Sequence, residues 1–470
     1  MYKKYIIGLF VLCLSNTMAA QSLEQAKQFF QKGEFEQAKP VFRKLVKQAP
    51  SNANYNYWYG ACCYETGEKQ EAQPYLEKSA ARKVIDAYRY LGKLYYDFYR
   101  FDDAVDNYEQ HIEWLEKKKR PTEQAEAELE HIRLASRMIK GVEDVTVIDS
   151  FVVEKSKFLD FYKLSKEAGT IGQTNAQGGT TYVTEMGNMK IFSDKAEGNG
   201  QMQLYSTNRL LDGWSEPESL SSLNEQGNVD YPFLLSDGVT LYYASDGEGS
   251  LGGYDIFVTR YDSEDGTYLR PNNIGMPFNS PANDYMYAID DFNNIGWFAS
   301  DRYQLQDTVC IYVFIPNDSK VVYDYENTDE QEIIDAASLR SIRVTWKDKE
   351  KVEHGKQQLA AAMYAQATEQ QKKDFTFIVD DSAVYYTLAD FRSDEARKLY
   401  RQLSQMQNDY ANLNKELEDK RNRYANGNET QKKSLAPSIL DLEKRTEQLA
   451  KEIAQWETEV RNEEIKKLKH

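Results

Sequence analysis

Proline and glycine are scarce in this chain of 470 residues, 11 and 25 respectively, which excludes a collagen-like repeat and a wholly disordered polypeptide. Basic residues fall short of acidic ones, 58 against 75, for a formal charge of −17. Polyanion binders carry a basic face, so nucleic acid is not an expected partner. Cysteine and histidine are rarer still, four of each. Beyond Cys13, the set Cys62, Cys63 and Cys310 is odd in number and builds no disulfide framework. The adjacent pair would be strained as a bridge, because neighbours on a helix point about 100° apart. These cysteines read as small buried residues. No His or Cys spacing suits zinc. No G-x-S-x-G elbow exists, and His111, His131, His354 and His470 fall outside the strands described below. No base therefore stands ready beside a serine. The expectation is a non-enzymatic protein without cofactor or metal.

Long apolar runs are also missing. The one short run lies in residues 1–20, which have the form of a secretory signal: Lys3 and Lys4, then Tyr5 to Leu14, then a small-residue site ending at Ala19-Ala20. That run is about half the ~20 residues a membrane-spanning helix needs. Cys13 follows Leu12, where lipoprotein processing wants a small residue. The expected location is the periplasm, with the outer membrane as a peripheral contact.

What is present is repetition. Over residues 21–141, Gly33, Ala38 and Phe42 recur as Gly67, Ala72 and Leu76, a period of 34 residues. Ala104 and Tyr108 continue it after a two-residue shortening, and Tyr99 stands where the third unit's turn glycine belongs. Gly60 and Gly92 supply small contacts between paired helices, and a helix over 122–140 reads as the polar cap of the stack. The pattern resembles the tetratricopeptide repeat and implies an α-solenoid.

From Val142 the pattern alternates, as strands do. Ile191-Phe-Ser-Asp194, Tyr243-Ala-Ser-Asp246 and Phe298-Ala-Ser-Asp301 repeat one motif, each followed by a polar loop and another apolar strand. The unit Leu241-Tyr-Tyr-Ala-Ser-Asp-Gly-Glu-Gly-Ser-Leu-Gly-Gly-Tyr-Asp-Ile-Phe257 resembles the PD40 repeat of TolB-like β-propellers. That resemblance implies a propeller over 142–391, with a helical insert at about 329–372. Three clear blades are too few to close, so the missing strands are sought in 145–185 and in Phe375–Val379 with Val384–Leu388. Gly247-Glu-Gly249-Ser-Leu-Gly252 matches a dinucleotide fingerprint in letters, but a strand follows it where that fold needs a helix. Its glycines read as turn residues with positive φ. Each Asp of the Ser-Asp pairs is expected to accept backbone N–H bonds in its turn, and the loop around Asp246 and Asp255 has oxygen ligands of the kind calcium uses.

Residues 392–470 carry two heptad series. Leu399, Leu403, Met406, Tyr410, Leu413 and Leu417 precede the turn Asn426-Gly427-Asn428, and Leu435, Ile439, Leu442, Leu449, Ile453, Trp456 and Val460 follow it. This predicts an antiparallel coiled-coil hairpin. The expected fold is therefore multidomain, α plus all-β.

The best candidate site is the concave face of the helical stack. The register of the tetratricopeptide family places Phe30, Tyr64 and Tyr96 at one repeated position, with Asn54, Tyr57, Arg89 and Lys93 beside them. Aromatics with interspersed cations suit an extended peptide; the alternative is that this face packs on the rest of the chain. The whole resembles periplasmic tetratricopeptide-plus-PD40 envelope proteins of Bacteroidota, including those of type IX secretion machinery. The resemblance implies a scaffold or adaptor for envelope proteins, a monomer within a hetero-complex. The rival readings are a propeller attached to a peptidase or other hydrolase, and a glycan- or peptidoglycan-binding protein.

Overall fold

The computed structural model describes residues 23–468 apart from 175–177, 197, 199, 212, 226, 372–374, 381–382 and 428, with the backbone alone for 365–371 and 429–430. The expected signal segment lies outside the described residues. The chain divides into two compact units, Met1–Ala362 and Met363–His470.

The first unit begins with helices in antiparallel pairs. A helix over residues 23–31 (α1) is followed by α2 (Phe35–Gln48), α3 (Ala53–Glu65), α4 (Lys69–Ala80), α5 (Ile85–Asp97), α6 (Phe101–Lys117) and α7 (Glu123–Ile139). The turn closing α1 uses Gly33 at φ 77° and that closing α3 uses Gly67 at φ 83°. Tyr99 adopts the same left-handed conformation, φ 61°, in the third unit. An aromatic residue there is strained, and Tyr99 stays because its ring is buried against Phe101. Gly60 and Gly92 let the helices of a pair touch. A Cβ on Gly60 would meet Leu76 Cγ at 2.9 Å, and one on Gly92 would meet Tyr108 Cδ2 at 2.2 Å. Cys62 and Cys63 are fully buried, and burial pushes their thiols up to about 12 and about 11. They are inert packing groups.

After α7 the chain turns to strands: β1 (Thr146–Glu154), β2 (Thr170–Gln173), β3 (Thr180–Val183), β4 (Met189–Lys195), β5 (Met202–Leu210), β6 (Gly213–Trp214) and β7 (Glu218–Ser219). Then come β8 (Val229–Leu234), β9 (Thr240–Ser245), β10 (Asp255–Asp262), β11 (Thr267–Tyr268), β12 (Asn272–Asn273), β13 (Asp284–Asp290), β14 (Ile295–Ser300) and β15 (Thr308–Ile315). They form three separate antiparallel sheets: β2 to β7, β8 to β12, and β13-β14-β15 completed by β1. The first strand of the region thus finishes its last sheet, and residues 145–185 supply strands to two of the three sheets. One apolar core joins all three sheets. A 3₁₀ helix, Lys155–Phe161, drops into it, setting the ring of Phe158 5.8 Å from Tyr231 and 6.1 Å from Tyr285.

The sheets repeat in detail. Register shifts fall between Asp230 and Phe233 in β8, and between Tyr285 and Ala288 in β13. Each shift carries a left-handed residue, Tyr231 at φ 57° and Met286 at φ 32°. Asp246 accepts from the backbone and side-chain amides of Asn228, and Asp301 does the same for Asn283. Asp246 and Asp301 are therefore turn clamps, as the repetition suggests, whereas Asp194 accepts from the N–H of its neighbour Lys195. Asp255 is buried and accepts from the N–H groups of Leu251 and Gly252 and from the side-chain amide of Asn273. The two carboxylates of the suspected calcium loop thus serve as acceptors for protein amides, at separate places. The glycine-rich loop needs one correction. Of its fingerprint glycines Gly249 has positive φ, 89°, whereas a Cβ on Gly252 would lie 1.8 Å from the carbonyl oxygen of Ala282. Close approach, not turn geometry, dictates that glycine.

The insert is helical as expected: α8 (Glu330–Ser338), a short 3₁₀ turn (Ile342–Thr345) and α9 (Lys349–Gln371), whose Leu359 and Ala362 join the three-sheet core.

In the second unit, β16 (Phe377–Asp380) and β17 (Ala383–Tyr385) pair with each other, and α10 (Asp394–Ala425) and α11 (Glu429–Leu468) run antiparallel. This corrects the expectation that the strands of 375–388 complete the three-sheet region. Phe377, Val379 and Tyr385 pack instead against Phe391, Tyr400, Leu403 and Val460 of the helical hairpin. The strand-rich region therefore ends before this segment. Alternating apolar residues find a partner face wherever one is near in sequence, and α10 starts nine residues after β17. The heptad seam itself is as read, with Leu417 buried against Ile439 and Leu442.

Candidate functional site

The helical stack presents the first helix of each pair on one side, and the aromatic side chains there form a row. Phe30 of α1 lies 5.9 Å from Tyr57 of α3, Tyr57 lies 6.0 Å from Tyr90 of α5, and Tyr64 lies 5.6 Å from Tyr90. Most of these contacts are edge-to-face, the geometry that aromatic quadrupoles favour. Tyr57 and Tyr90 are buried, and Phe30 and Tyr64 are half-buried. The inner rings therefore hold neighbouring repeats together, while the outer ones remain partly open. Burial pushes the three phenols up, so they stay neutral donors at any physiological pH. Tyr90 donates to Glu65 Oε1 at 2.9 Å.

Cations stand over this row. The guanidinium carbon of Arg89 is 5.4 Å from the Tyr90 ring, and Lys93 Nζ is 6.0 Å from it. Among the described residues neither forms an ion pair. Asn54 is exposed at the start of α3. Arg89 also borders a cavity of about 270 Å³ between α5 and α7, with Asp86, His111, Arg120, Gln124 and Glu128. Burial pushes the His111 imidazole down, and its Nδ1 lies 3.0 Å from the carbonyl oxygen of Ile85. That ring is neutral and donates from Nδ1.

Six of the seven expected residues thus share one face. Tyr96 departs. Its hydroxyl donates to the carbonyl of Leu251, at 2.8 Å, in the glycine-rich loop before β10. The hydroxyl oxygen is then free to accept from His131 Nε2 at 3.0 Å. Here the stack packs on the strand region of its own chain, as the alternative had it for the whole face. Tyr90 is a member of the row that the repeat register alone does not single out. Its counterpart one repeat earlier, Trp58, stacks on Phe42 of the preceding pair at 5.3 Å, and that recurrence is the signal that identifies it.

One group of metal-ligating atoms occurs among the described residues: Cys63 Sγ and carboxylate oxygens of Glu68 and Glu71 lie within 4.8 Å of one another. Lys39 already faces Glu68 at 3.2 Å, and Tyr59 donates to Glu71. The protein's own ammonium and phenol satisfy this cluster.

Residues 23–88 match the tetratricopeptide repeat family model. The N-terminal region is tetratricopeptide-like. Its fold is similar to the type III secretion translocator chaperone SycD of Yersinia enterocolitica, at 19% identity over 26% of this chain and 88% of that one, TM-score 0.24. It is also similar to the Sgt2 tetratricopeptide domain of Aspergillus fumigatus, at 19% identity over 26% of this chain and 80% of that one, TM-score 0.23. A third is the TPR2B domain of yeast Sti1 in a complex with pHsp70, at 16% identity over 25% and 96%, TM-score 0.23. No curated protein matches the chain in sequence. No helix among the described residues is long and apolar enough to cross a membrane.

Proposed function

We propose that this chain is a non-enzymatic scaffold whose helical groove grips an extended segment of another envelope protein. The observation that carries the reading is the pairing of a partly open aromatic row with two cations that form no ion pair among the described residues. Phe30 and Tyr64 offer apolar contact, and Arg89 and Lys93 offer charge to a carboxylate or backbone carbonyls. The tetratricopeptide match at 23–88 supports the same class of role, since such domains typically mediate protein–protein interaction. The three sheets are read as TolB-like PD40 blades, with β1 completing the last. The periplasm is the proposed compartment, on the strength of the signal-like residues 1–20, and association with a secretion complex at the outer membrane is the proposed setting.

The test is affinity capture from detergent-solubilised envelopes followed by mass spectrometry. Replacing Arg89 and Lys93 together by Glu should remove the captured partner while leaving thermal unfolding unchanged. Capture that survives this reversal would refute the groove as the binding site.

A further inference from the structure

We propose that the cleft between α7 and the middle sheet is a binding site for a neutral, hydroxyl-rich ligand, one or two sugar rings of a glycan. It shares no residue with the groove. Ala135 and Ile139 seat α7 on the strand region, buried together with Leu251 and Met276. One position earlier in each turn, Leu134 and Met138 border a cavity of about 710 Å³ instead. That volume is within the range of pockets that hold small ligands, about 300–1,000 Å³.

The sheet builds the opposite wall. Tyr243 of β9 pairs with Phe257 of β10, and Phe257 pairs with Asn273 of β12. Residues directly opposite project from the same face of a sheet, and the rings of Tyr243 and Phe257 stack at 6.0 Å with their planes 20° apart. Tyr268 of β11 lines the same cavity. Tyr243 is 4% exposed and Tyr268 8%. Neither hydroxyl has a hydrogen-bond partner among the described residues. Buried tyrosine hydroxyls ordinarily find one. Burial pushes both phenols up, that of Tyr268 to about 12, so each is a neutral group able to donate and to accept.

The lip differs from the wall. Glu225, Glu248, Arg270 and Asn272 border the cavity and are exposed. Among the described residues none of these side chains forms an ion pair or a hydrogen bond.

This distribution selects the ligand class. Two carboxylates against one guanidinium, in a chain of formal charge −17, disfavour an anion. A wholly apolar ligand would leave both buried hydroxyls stranded. A dipeptide matches the charged lip, but it brings an apolar side chain to the wall where hydrogen bonds are wanted. A sugar meets each demand. Its hydroxyls donate to Glu225 and Glu248, accept from Arg270 and Asn272, and exchange hydrogen bonds with Tyr243 and Tyr268. Its C–H faces suit the aromatic wall.

The test uses the full chain with cellobiose, maltose and N,N′-diacetylchitobiose as probes, and the dipeptide alanyl-phenylalanine as the charged comparison. Saturation-transfer NMR should show transfer to the ring protons of at least one disaccharide, and titration calorimetry then gives its affinity. Tyr243→Phe and Tyr268→Phe remove the hydroxyls alone. Each should weaken that affinity on the order of tenfold. Because neither hydroxyl serves the fold, the thermal midpoint should not drop in either variant. Reversal of Arg89 and Lys93 to Glu should leave sugar binding as it was, which separates this site from the groove. No transfer to any of the three disaccharides, transfer to the dipeptide alone, or affinity undisturbed in both Phe variants would overturn the proposal.

Discussion

Tyr96 and Leu251 join the helical stack to the strand region through one hydrogen bond, 2.8 Å from phenol to carbonyl oxygen. The bond lies where the concave face would otherwise continue. It divides that face into an open stretch from Phe30 to Lys93 and a closed end at Tyr96. The groove and its internal anchor can therefore be separated by mutation. Tyr96→Phe leaves the ring in place and orphans the Leu251 carbonyl, which should lower the stability of the first unit by about 1–2 kcal/mol. Urea unfolding followed by tyrosine and tryptophan fluorescence measures this. Partner capture should be unaffected, in contrast to the Arg89 and Lys93 reversals.

Asp255 should impose a pH dependence on the first unit. Burial, with the Asp284 carboxylate second, raises its carboxyl from 3.8 to about 7. The folded state therefore holds a proton between about pH 4 and 7 that the unfolded chain has released. Stability contributed by this group is greatest below pH 4 and falls as pH rises through 7. The fall is about 1.4 kcal/mol for each pH unit across that window, which makes it a few kcal/mol in all. Asp255→Asn keeps an acceptor for the Leu251 amide and should flatten this part of the stability–pH curve, measured by urea titrations at pH 4 to 8.

Glu464 ties the second unit together. It is fully buried, and its Oε1 accepts from Tyr385 O–H and Arg392 N–H while Oε2 accepts from Ser393 N–H. A carboxylate at the start of α10 also meets the positive end of the helix dipole. Glu464→Gln replaces one acceptor by a donor facing an N–H. It should cost about 2–3 kcal/mol. Hydrogen exchange should quicken in β17 and in the first turn of α10 and stay unchanged in α1 to α7.

Local repetition made most of this architecture legible in the sequence. The spacing of Gly33 and Gly67 located the helix pairs, and Tyr99 in the glycine position kept the conformation that the repeat demands. The heptads from Leu399 and from Leu435 gave the hairpin. What escaped was long-range choice of partner. Phe377 and Tyr385 alternate as any strand does, and nothing local distinguishes a place in a third sheet from a place on α10. The face of Tyr96 was likewise settled by a residue 155 positions away. Glu464 carries no local signal of its role, because its three donors come from residues at least 71 positions earlier.

The central claim is that the open stretch of the groove holds an extended segment of another protein. The most direct measurement places a photo-crosslinking amino acid at Asn54, exposed beside Tyr57, in the living source cell. The account predicts one discrete adduct at Asn54 that mass spectrometry maps to a single segment of an envelope protein, and that disappears when Arg89 and Lys93 are reversed to Glu. No adduct at Asn54, or one that persists in that double variant, would contradict it.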